Sequence, residues 1–428
     1  MFFIQKRMFK NNTVVISGTG ILSSLGYGIE KFKNALESGR TGIDFIEDHH
    51  GLPIKVGALI KDFSFNELLE QIEPFDNDLK QMCKKLSRGL PFSLQCSILA
   101  VLDAWHNAGL DGMKDNTLSK GIVIGGSNIS QNYIYELHKK YGGSMGFTTP
   151  SYALHFMDTD HVGVLSELFQ LKNEGFNVGG ASASGNVALI KGMQMIKYGI
   201  ADICVVVGTV ADLSPLELNA FTNLNAIGGK KFMDKPKQAS RPFDKRHEGF
   251  IYGQAAACII LENNRTALQR GIKPLGKFIS GVHHLDANRL SNPSEDGEVN
   301  VMVSVLEQAG MQPEDIDYIN AHGTSTPLGD ITEINAIKKV FSKSVSDIYI
   351  NSTKGITGHC LYSSGVVEAI ASVIQMNHGF IHPNLNLDDP ICGLCNFTRG
   401  KSVRANVKNV MSNSFGFGGI NTSIILQK

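Results

Sequence analysis

Short apolar runs closed by glycine or a polar turn alternate along this chain with longer stretches of helical pattern. The run Thr13-Val14-Val15-Ile16-Ser17-Gly18-Thr19-Gly20-Ile21-Leu22 reads as a buried strand ending in glycines, and a helical stretch follows near 29–36. Further strand-like runs lie at 121–125, 203–207 and 257–261, with a helical pattern at 94–108. Residues 176–178 read as the end of another strand, and 186–200 as a buried helix. Past Gly271 the same grammar returns, with strands at 316–320, 347–350, 409–412 and 422–426 and helices at 300–309, 330–340 and 364–377. Strands alternating with helices predict an α/β architecture with largely parallel pairing. The repetition divides the chain into 11–270 and 271–428, without a strict residue-level repeat. The stretch 226–241, with its Gly and Lys residues, reads as a surface loop.

Composition narrows the class. A chain of 428 residues is long for one hydrophobic core and fits two fused domains. Apolar residues at 42% and charged residues at 19% give a globular balance. Lys plus Arg and Asp plus Glu are 40 each, so no bulk field draws the chain to nucleic acid, although a local basic patch for an acidic partner is still allowed. Seven scattered cysteines, an odd number without a framework, point to a reducing, cytoplasmic setting. Cys392-Gly393-Leu394-Cys395 is a lone CxxC with no second pair or histidine cluster to complete a zinc site, and reads as loop or partly buried thiols. Residues 1–10 lack the sustained apolar core of a signal peptide, with Met8 an alternative start. No apolar run is long enough to span a bilayer, so no membrane association is expected. Gly18-Thr19-Gly20 lacks the third glycine and the later acidic residue of a dinucleotide fingerprint. These glycines read as shaping a turn.

Candidate chemistry sits in small-residue segments after strands. In Gly179-Gly180-Ala181-Ser182-Ala183-Ser184-Gly185, a sharp strand-to-helix turn puts Ser182 at a helix N-terminus, where free amides favour negative charge. A thiol there would be acidified. A hydroxyl titrates so much higher that the same help would not ionise it. His322 lies in Asn320-Ala321-His322-Gly323-Thr324-Ser325-Thr326-Pro327-Leu328-Gly329-Asp330, directly after a strand; alone, it also fits a strand-capping histidine. His359 closes Asn351-Ser352-Thr353-Lys354-Gly355-Ile356-Thr357-Gly358-His359, with Lys354 as a nearby cation. Phe415 and Phe417 stand among glycines in Asn413-Ser414-Phe415-Gly416-Phe417-Gly418-Gly419-Ile420-Asn421, a pattern that also fits an ordinary bend with core aromatics. The segment from Ser240 to Phe250 carries charge and turn residues and reads as structural.

Together these segments resemble the β-ketoacyl synthases of the thiolase superfamily, over nearly the whole chain from Val14 to Leu426. The family's nucleophile turn, Thr-Ala-Cys-Ala-Ser-Gly, appears as Gly180-Ala181-Ser182-Ala183-Ser184-Gly185. His-Gly-Thr-x-Thr is His322 to Thr326, Lys-x-x-x-Gly-His is Lys354 to His359, and Gly-Phe-Gly-Gly is Gly416 to Gly419. The resemblance implies a thiolase-like five-layer αβαβα fold of two similar halves, usually a C2 homodimer. It implies no metal or organic cofactor, and a substrate delivered on the phosphopantetheine of acyl carrier protein, with a basic rim at the tunnel mouth. It assigns His322 and His359 to the thioester carbonyl and the malonyl group, and Lys354 to the supporting network. It places Glu333 as an acidic residue near that lysine. Thr324 and Thr326 fall on the phosphopantetheine arm, Phe415 and Phe417 beside the acyl pocket with the second as a gate, and the Ser182 and Phe417 amides at an oxyanion hole.

Four departures mark the chain. Cysteine becomes Ser182, Gly-Glu-Gly-Ala becomes Gly253-Gln254-Ala255-Ala256, Gly-Gly-Thr-Asn becomes Gly418-Gly419-Ile420-Asn421, and Gly-Ala-Ala-Gly becomes Tyr362-Ser363-Ser364-Gly365. The last three read as changes of packing. The first separates two steps: acyl transfer needs a strong nucleophile, whereas decarboxylation needs donors for an enolate oxygen. The pattern is most similar to the serine-containing decarboxylating ketosynthases of polyketide β-branching cassettes. That resemblance implies decarboxylation of malonyl-acyl carrier protein to acetyl-acyl carrier protein. Two alternatives stay open: condensation with Ser182 as nucleophile, and a non-catalytic subunit of a ketosynthase heterodimer.

Overall fold

Strands apolar on every residue must be covered on both faces, and the computed structural model shows what covers them. It describes residues 12–46, 54–72, 76–113 and 117–428; residues 1–10, with Met8, lie outside these. The first half contains β1 (Val14–Ser23), α1 (Ile29–Ser38), α2 (Phe92–Asn107), β2 (Lys120–Gly125), α3 (Thr159–Phe169), β3 (Gly175–Val178), α4 (Ser184–Lys197), β4 (Ile203–Gly208) and β5 (Ala255–Asn263). The second contains β6 (Gly276–Leu285), α5 (Glu295–Ala309), β7 (Tyr318–Asn320), α6 (Pro327–Phe341), β8 (Tyr349–Asn351), α7 (Ser364–His378), β9 (Asn409–Gly416) and β10 (Ile420–Gln427). Strand β6 is absent from the sequence reading because its positions alternate between buried and exposed and carry Gly, Lys and His.

The halves repeat one topology. Strand order is β3-β2-β4-β5-β1 in the first and β8-β7-β9-β10-β6 in the second, and the two arrays join where Val14 to Ile16 pair with Gly276 to Phe278. In each half the second strand runs parallel to its two neighbours and the last two pairings are antiparallel. The expectation of largely parallel pairing is therefore corrected to a mixed sheet. A three-residue link between β9 and β10 permits only an antiparallel hairpin, and apolar periodicity carries no information about strand direction.

Alternate residues of each strand feed different cores. Cys204 and Val206 of β4 join Ala257, Ile259, Val410 and Ile424 around Leu189 and Met193 of α4 and Ile370 and Val373 of α7. Their neighbours Val205, Val207, Cys258 and Ile260 pack on Leu99 and Ala104 of α2. On the far side, Ile319, Met411 and Ile425 pack on Met302 and Val305 of α5 and Ile337 of α6. Helices α4 and α7 are buried nearly all round because both sheets clamp them. The result is the thiolase-like five-layer arrangement of two similar halves. Among the described residues no helix is long and apolar enough to cross a membrane.

Gly18 and Gly20 correct a second expectation. They lie inside β1 and shape no turn. A Cβ on Gly20 would sit 2.2 Å from the Ala100 carbonyl oxygen, and one on Gly18 2.3 Å from that of Ala104. The glycines let α2 lie directly on the strand. Gly20→Ala is expected to lower unfolding stability by about 1–3 kcal/mol through overpacking, read as a lower urea midpoint; an unchanged midpoint would contradict this contact.

Candidate active site

Four loops leave their strands at one rim. After β3, the turn Ala181–Ala183 leads into α4; after β8, Leu361–Ser363 leads into α7. The two turns are equivalents in the repeated topology, and both begin on a non-glycine residue with positive φ, Ala181 at 47° and Leu361 at 50°. Such backbone costs of order 1–3 kcal/mol per residue and persists only where packing enforces it. Here the enforcing contact is Gly185 against Gly365. A Cβ on Gly365 would lie 2.5 Å from the Asn186 amide nitrogen, and one on Gly185 2.8 Å from that of Val366. Two helix N-termini thus meet backbone to backbone, and the side chains just ahead of them converge.

Ser182 and His359 are brought into contact. His359 Nε2 lies 2.9 Å from Ser182 Oγ. The other ring nitrogen, Nδ1, faces the Leu361 amide at 3.4 Å and the Ser364 hydroxyl at 3.0 Å. A backbone amide can only donate, so Nδ1 is the acceptor and the proton is assigned to Nε2. His359 therefore donates to Ser182 and cannot, in this tautomer, take its proton. Burial first, then the charge of Lys354, holds the His359 imidazole well below its ordinary value of 6.5. Phe250 closes the remaining side of the ring edge-on at 5.3 Å.

His322 stands 5.6 Å from His359, ring centre to ring centre, and 5.6 Å from Phe415. Burial, Lys354 and His359 together depress its imidazole well below 6.5, so it too is neutral. Its Nδ1 is buried without a hydrogen-bond partner among the described residues. The main chain holds its place. Glu333 accepts from the His322 amide at 2.8 Å and the Gly323 amide at 2.7 Å, and burial raises this carboxyl to about 7 against those bonds. Lys354 Nζ donates to the His322 carbonyl and to the Glu368 carboxylate. Lys354 and Glu368 are each 1% exposed, and burial raises Glu368 to about 7 although Lys354 opposes it. Asp330 accepts from the Phe243 amide at 2.7 Å and the Ser325 amide at 3.0 Å, and meets His247 at 2.9 Å. The segment read as structural thus clamps the loop that carries His322.

A cavity of about 490 Å³ contains Ser182, His322 and His359 in its wall, with Thr324, Thr326, Phe415 and Phe417. The two threonine hydroxyls bond each other at 2.8 Å. Phe415 is buried, whereas Phe417 is 41% exposed and leans on Phe221 at 6.4 Å. A Cβ on Gly416 would fall 2.3 Å from the Gly180 carbonyl oxygen, so β9 presses on the serine turn. Of the other departures, Tyr362 lines the cavity, while Gln254 accepts from the Ile60 amide at 3.1 Å. Among the described residues no group of three or more His, Cys, Asp or Glu could hold a metal ion.

Residues 11–267 match the family of the beta-ketoacyl synthase N-terminal domain, and residues 279–388 that of its C-terminal domain. The chain belongs to the β-ketoacyl synthase family. This ketosynthase-family chain is 38% identical over 416 residues to the polyketide biosynthesis malonyl-ACP decarboxylase PksF of Bacillus subtilis (strain 168), covering 97% of this chain and 96% of that one. It is 33% identical over 427 residues to the chloroplastic 3-oxoacyl-(acyl-carrier-protein) synthase I of Arabidopsis thaliana, covering 96% and 85%. The solved ishigamide ketosynthase/chain length factor matches with a TM-score of 0.85 at 25% identity, covering 98% of this chain and all of that one.

Sequence reasoning missed four residues at this site. Glu368 is the lone Asp, Glu, Lys or Arg in a largely apolar helical stretch, a signal that could have found it. Ser364 and Phe250 carry no comparable signal, since only the fold brings them to His359. Glu298 also lines the cavity, 1% exposed and with one carboxyl oxygen unpartnered. Burial, with Glu333 and Asp286 nearby, raises it well above the ordinary carboxyl range.

The imidazole assignment has a direct check. Burial and Lys354 both penalise the imidazolium, so protonation of His322 and His359 should begin only well below pH 6.5. Nitrogen-15 spectra of histidine-labelled protein should show His359 with a protonated Nε2 throughout neutral pH. Titration centred near 6.5, or a protonated Nδ1, would refute the assignment. In Lys354→Met both onsets should move to higher pH, and stability should fall by about 3–5 kcal/mol because Glu368 loses its partner.

Proposed function

We propose that this protein decarboxylates malonyl-acyl carrier protein to acetyl-acyl carrier protein in polyketide biosynthesis. One observation carries the reading: at the nucleophile position, Ser182 faces an imidazole that donates to it. A cysteine at such a turn can ionise with the help of the helix N-terminus alone. A serine needs a general base to become a nucleophile, and the Nε2–H of His359 is not one. What the site keeps is donors for a developing oxyanion. The similarity to the Bacillus decarboxylase supports the same reading.

In this mechanism the phosphopantetheine arm enters past Phe417 and along Thr324 and Thr326. The malonyl thioester oxygen accepts hydrogen bonds from His322 and His359. The bond between the carboxylate carbon and the methylene breaks, carbon dioxide departs, and the electron pair moves into an enolate whose oxygen the two imidazoles stabilise. With no acyl chain to attack, the enolate carbon takes a proton from solvent and the carrier leaves as its acetyl thioester. The reaction needs no metal or organic cofactor.

We further read the protein as a cytoplasmic homodimer. Strand β3 ends the sheet, and its outer edge is unpaired among the described residues. The side-chain amide of Asn177 on it is buried without a partner among the described residues, and an open edge is a pairing surface. Nearby in sequence, Met145, Phe147, Leu154 and Phe156 are exposed at 70%, 78%, 58% and 46%, an apolar display expected to be covered. Phe147→Asp combined with Phe156→Asp should convert a dimer to a monomer in sedimentation velocity; a wild-type monomer would end this reading.

The decarboxylation assay is mass analysis of malonyl-loaded carrier protein. The carrier is expected to lose the mass of carbon dioxide, and His322→Ala to slow this by about 10²–10³-fold, as for loss of an oxyanion donor. Ser182→Ala should remain active, and Ser182→Cys should gain a stable acyl-enzyme with acyl carriers. A malonyl mass that never changes refutes the proposal. An elongated product with wild-type enzyme would establish condensation instead.

A further inference from the structure

Cys392 and Cys395 lie outside the cavity, on the loop that leads into the short strand Asn396–Phe397. Their sulfurs are 3.1 Å apart, with the Cys395 thiol donating to Cys392 Sγ. Each residue is 9% exposed, whereas the other five cysteines are 0–1% exposed. Gly393 and Leu394 form the tip between them, and Leu394 is 67% exposed. A disulfide has its sulfurs about 2.05 Å apart, so closure asks for a shift of about 1 Å in two side chains. The ground beneath is firm. Both thiols pack with Leu387 and Phe397 in the outer core, Phe397 stacks on Phe243 at 5.2 Å, and the Ile391 amide donates to the Phe243 carbonyl at 2.9 Å.

The two thiols differ in the way that exchange chemistry requires. Burial would raise Cys392, but hydrogen bonds from the Cys395 thiol and from the Leu394 and Cys395 amides, with Lys338 nearby, outweigh it and hold the thiol below its ordinary value. Burial and the neighbouring Cys392 raise Cys395. The first can attack as a thiolate, and the second is held protonated until needed.

We propose that Cys392 and Cys395 form a reversible dithiol–disulfide couple that exchanges with low-molecular-weight disulfides, a modification site separate from the decarboxylation cavity. The Cys392 thiolate attacks one sulfur of the small disulfide, whose S–S bond breaks and releases one thiolate that takes up the Cys392 proton from solvent. Cys395 then loses its proton and attacks Cys392 Sγ, and the second small thiol leaves. Two protein thiols are oxidised, one external disulfide is reduced, and no metal or further oxidant enters.

The probe is oxidised glutathione, added to the native full-length protein at neutral pH and stopped with acid. The wild type is expected to lose two of its seven thiols and the mass of two hydrogens, with peptide mapping placing the bond between Cys392 and Cys395 and dithiothreitol reversing it. Cys395→Ser should stop at one glutathione held on Cys392, and Cys392→Ser should take up none. Retention of all seven thiols, or a bond mapped to any other cysteine, overturns the proposal. Mapping of the wild type decides the matter even if a variant fails to fold.

Discussion

The hydrogen bond from the Leu361 amide to His359 Nδ1 determines what the rest of the site can do. A backbone amide can only donate, so this contact assigns the proton to Nε2, where it points at Ser182. From that single assignment, position 182 has a donor beside it and no base. The same geometry with a thiol would keep a nucleophile, because a thiol near a helix N-terminus ionises without proton transfer to a neighbour. On the function proposed above, oxygen in that place leaves the oxyanion donors in position and removes the attack.

The bond exists because the fold is duplicated. Each half delivers a strand, a tight turn with positive φ and a buried helix, and the two helix starts abut at Gly185 and Gly365. One turn supplies Ser182, and its equivalent supplies the Leu361 amide. Neither half holds the arrangement alone. The strained backbone at Ala181 and Leu361 is sustained by the pressure of one turn on the other and, at Ala181, by β9 at Gly416.

Behind the two imidazoles lies a buried ion pair with an electrostatic and a positional role. Lys354 ties the His322 carbonyl to Glu368, and its charge reinforces burial in keeping both imidazoles neutral. A buried pair of this kind is poor evidence of net stability. Its value here is positional: it fixes the loop after β7 to helix α7, while Glu333 and Asp330 fasten the same loop to β9 and to the segment around Phe243.

Much of this was legible before the fold was known. Continuous apolar runs gave the central strands and the nearly all-buried α4 and α7, because complete burial leaves an unbroken apolar signature. The small-residue turns after those strands marked Ser182, His322, Lys354 and His359, since sharp backbone bends constrain residue type locally. Strand direction, the strand β6, the place of Gly18 and Gly20 inside β1, and the partners Ser364 and Phe250 were not legible. Each depends on what a distant segment presses against it. Residue identity and short-range spacing settled which chemical groups the chain carries; only long-range packing decided which nitrogen of His359 bears the proton, because the amide that dictates it is positioned by contact between the two halves.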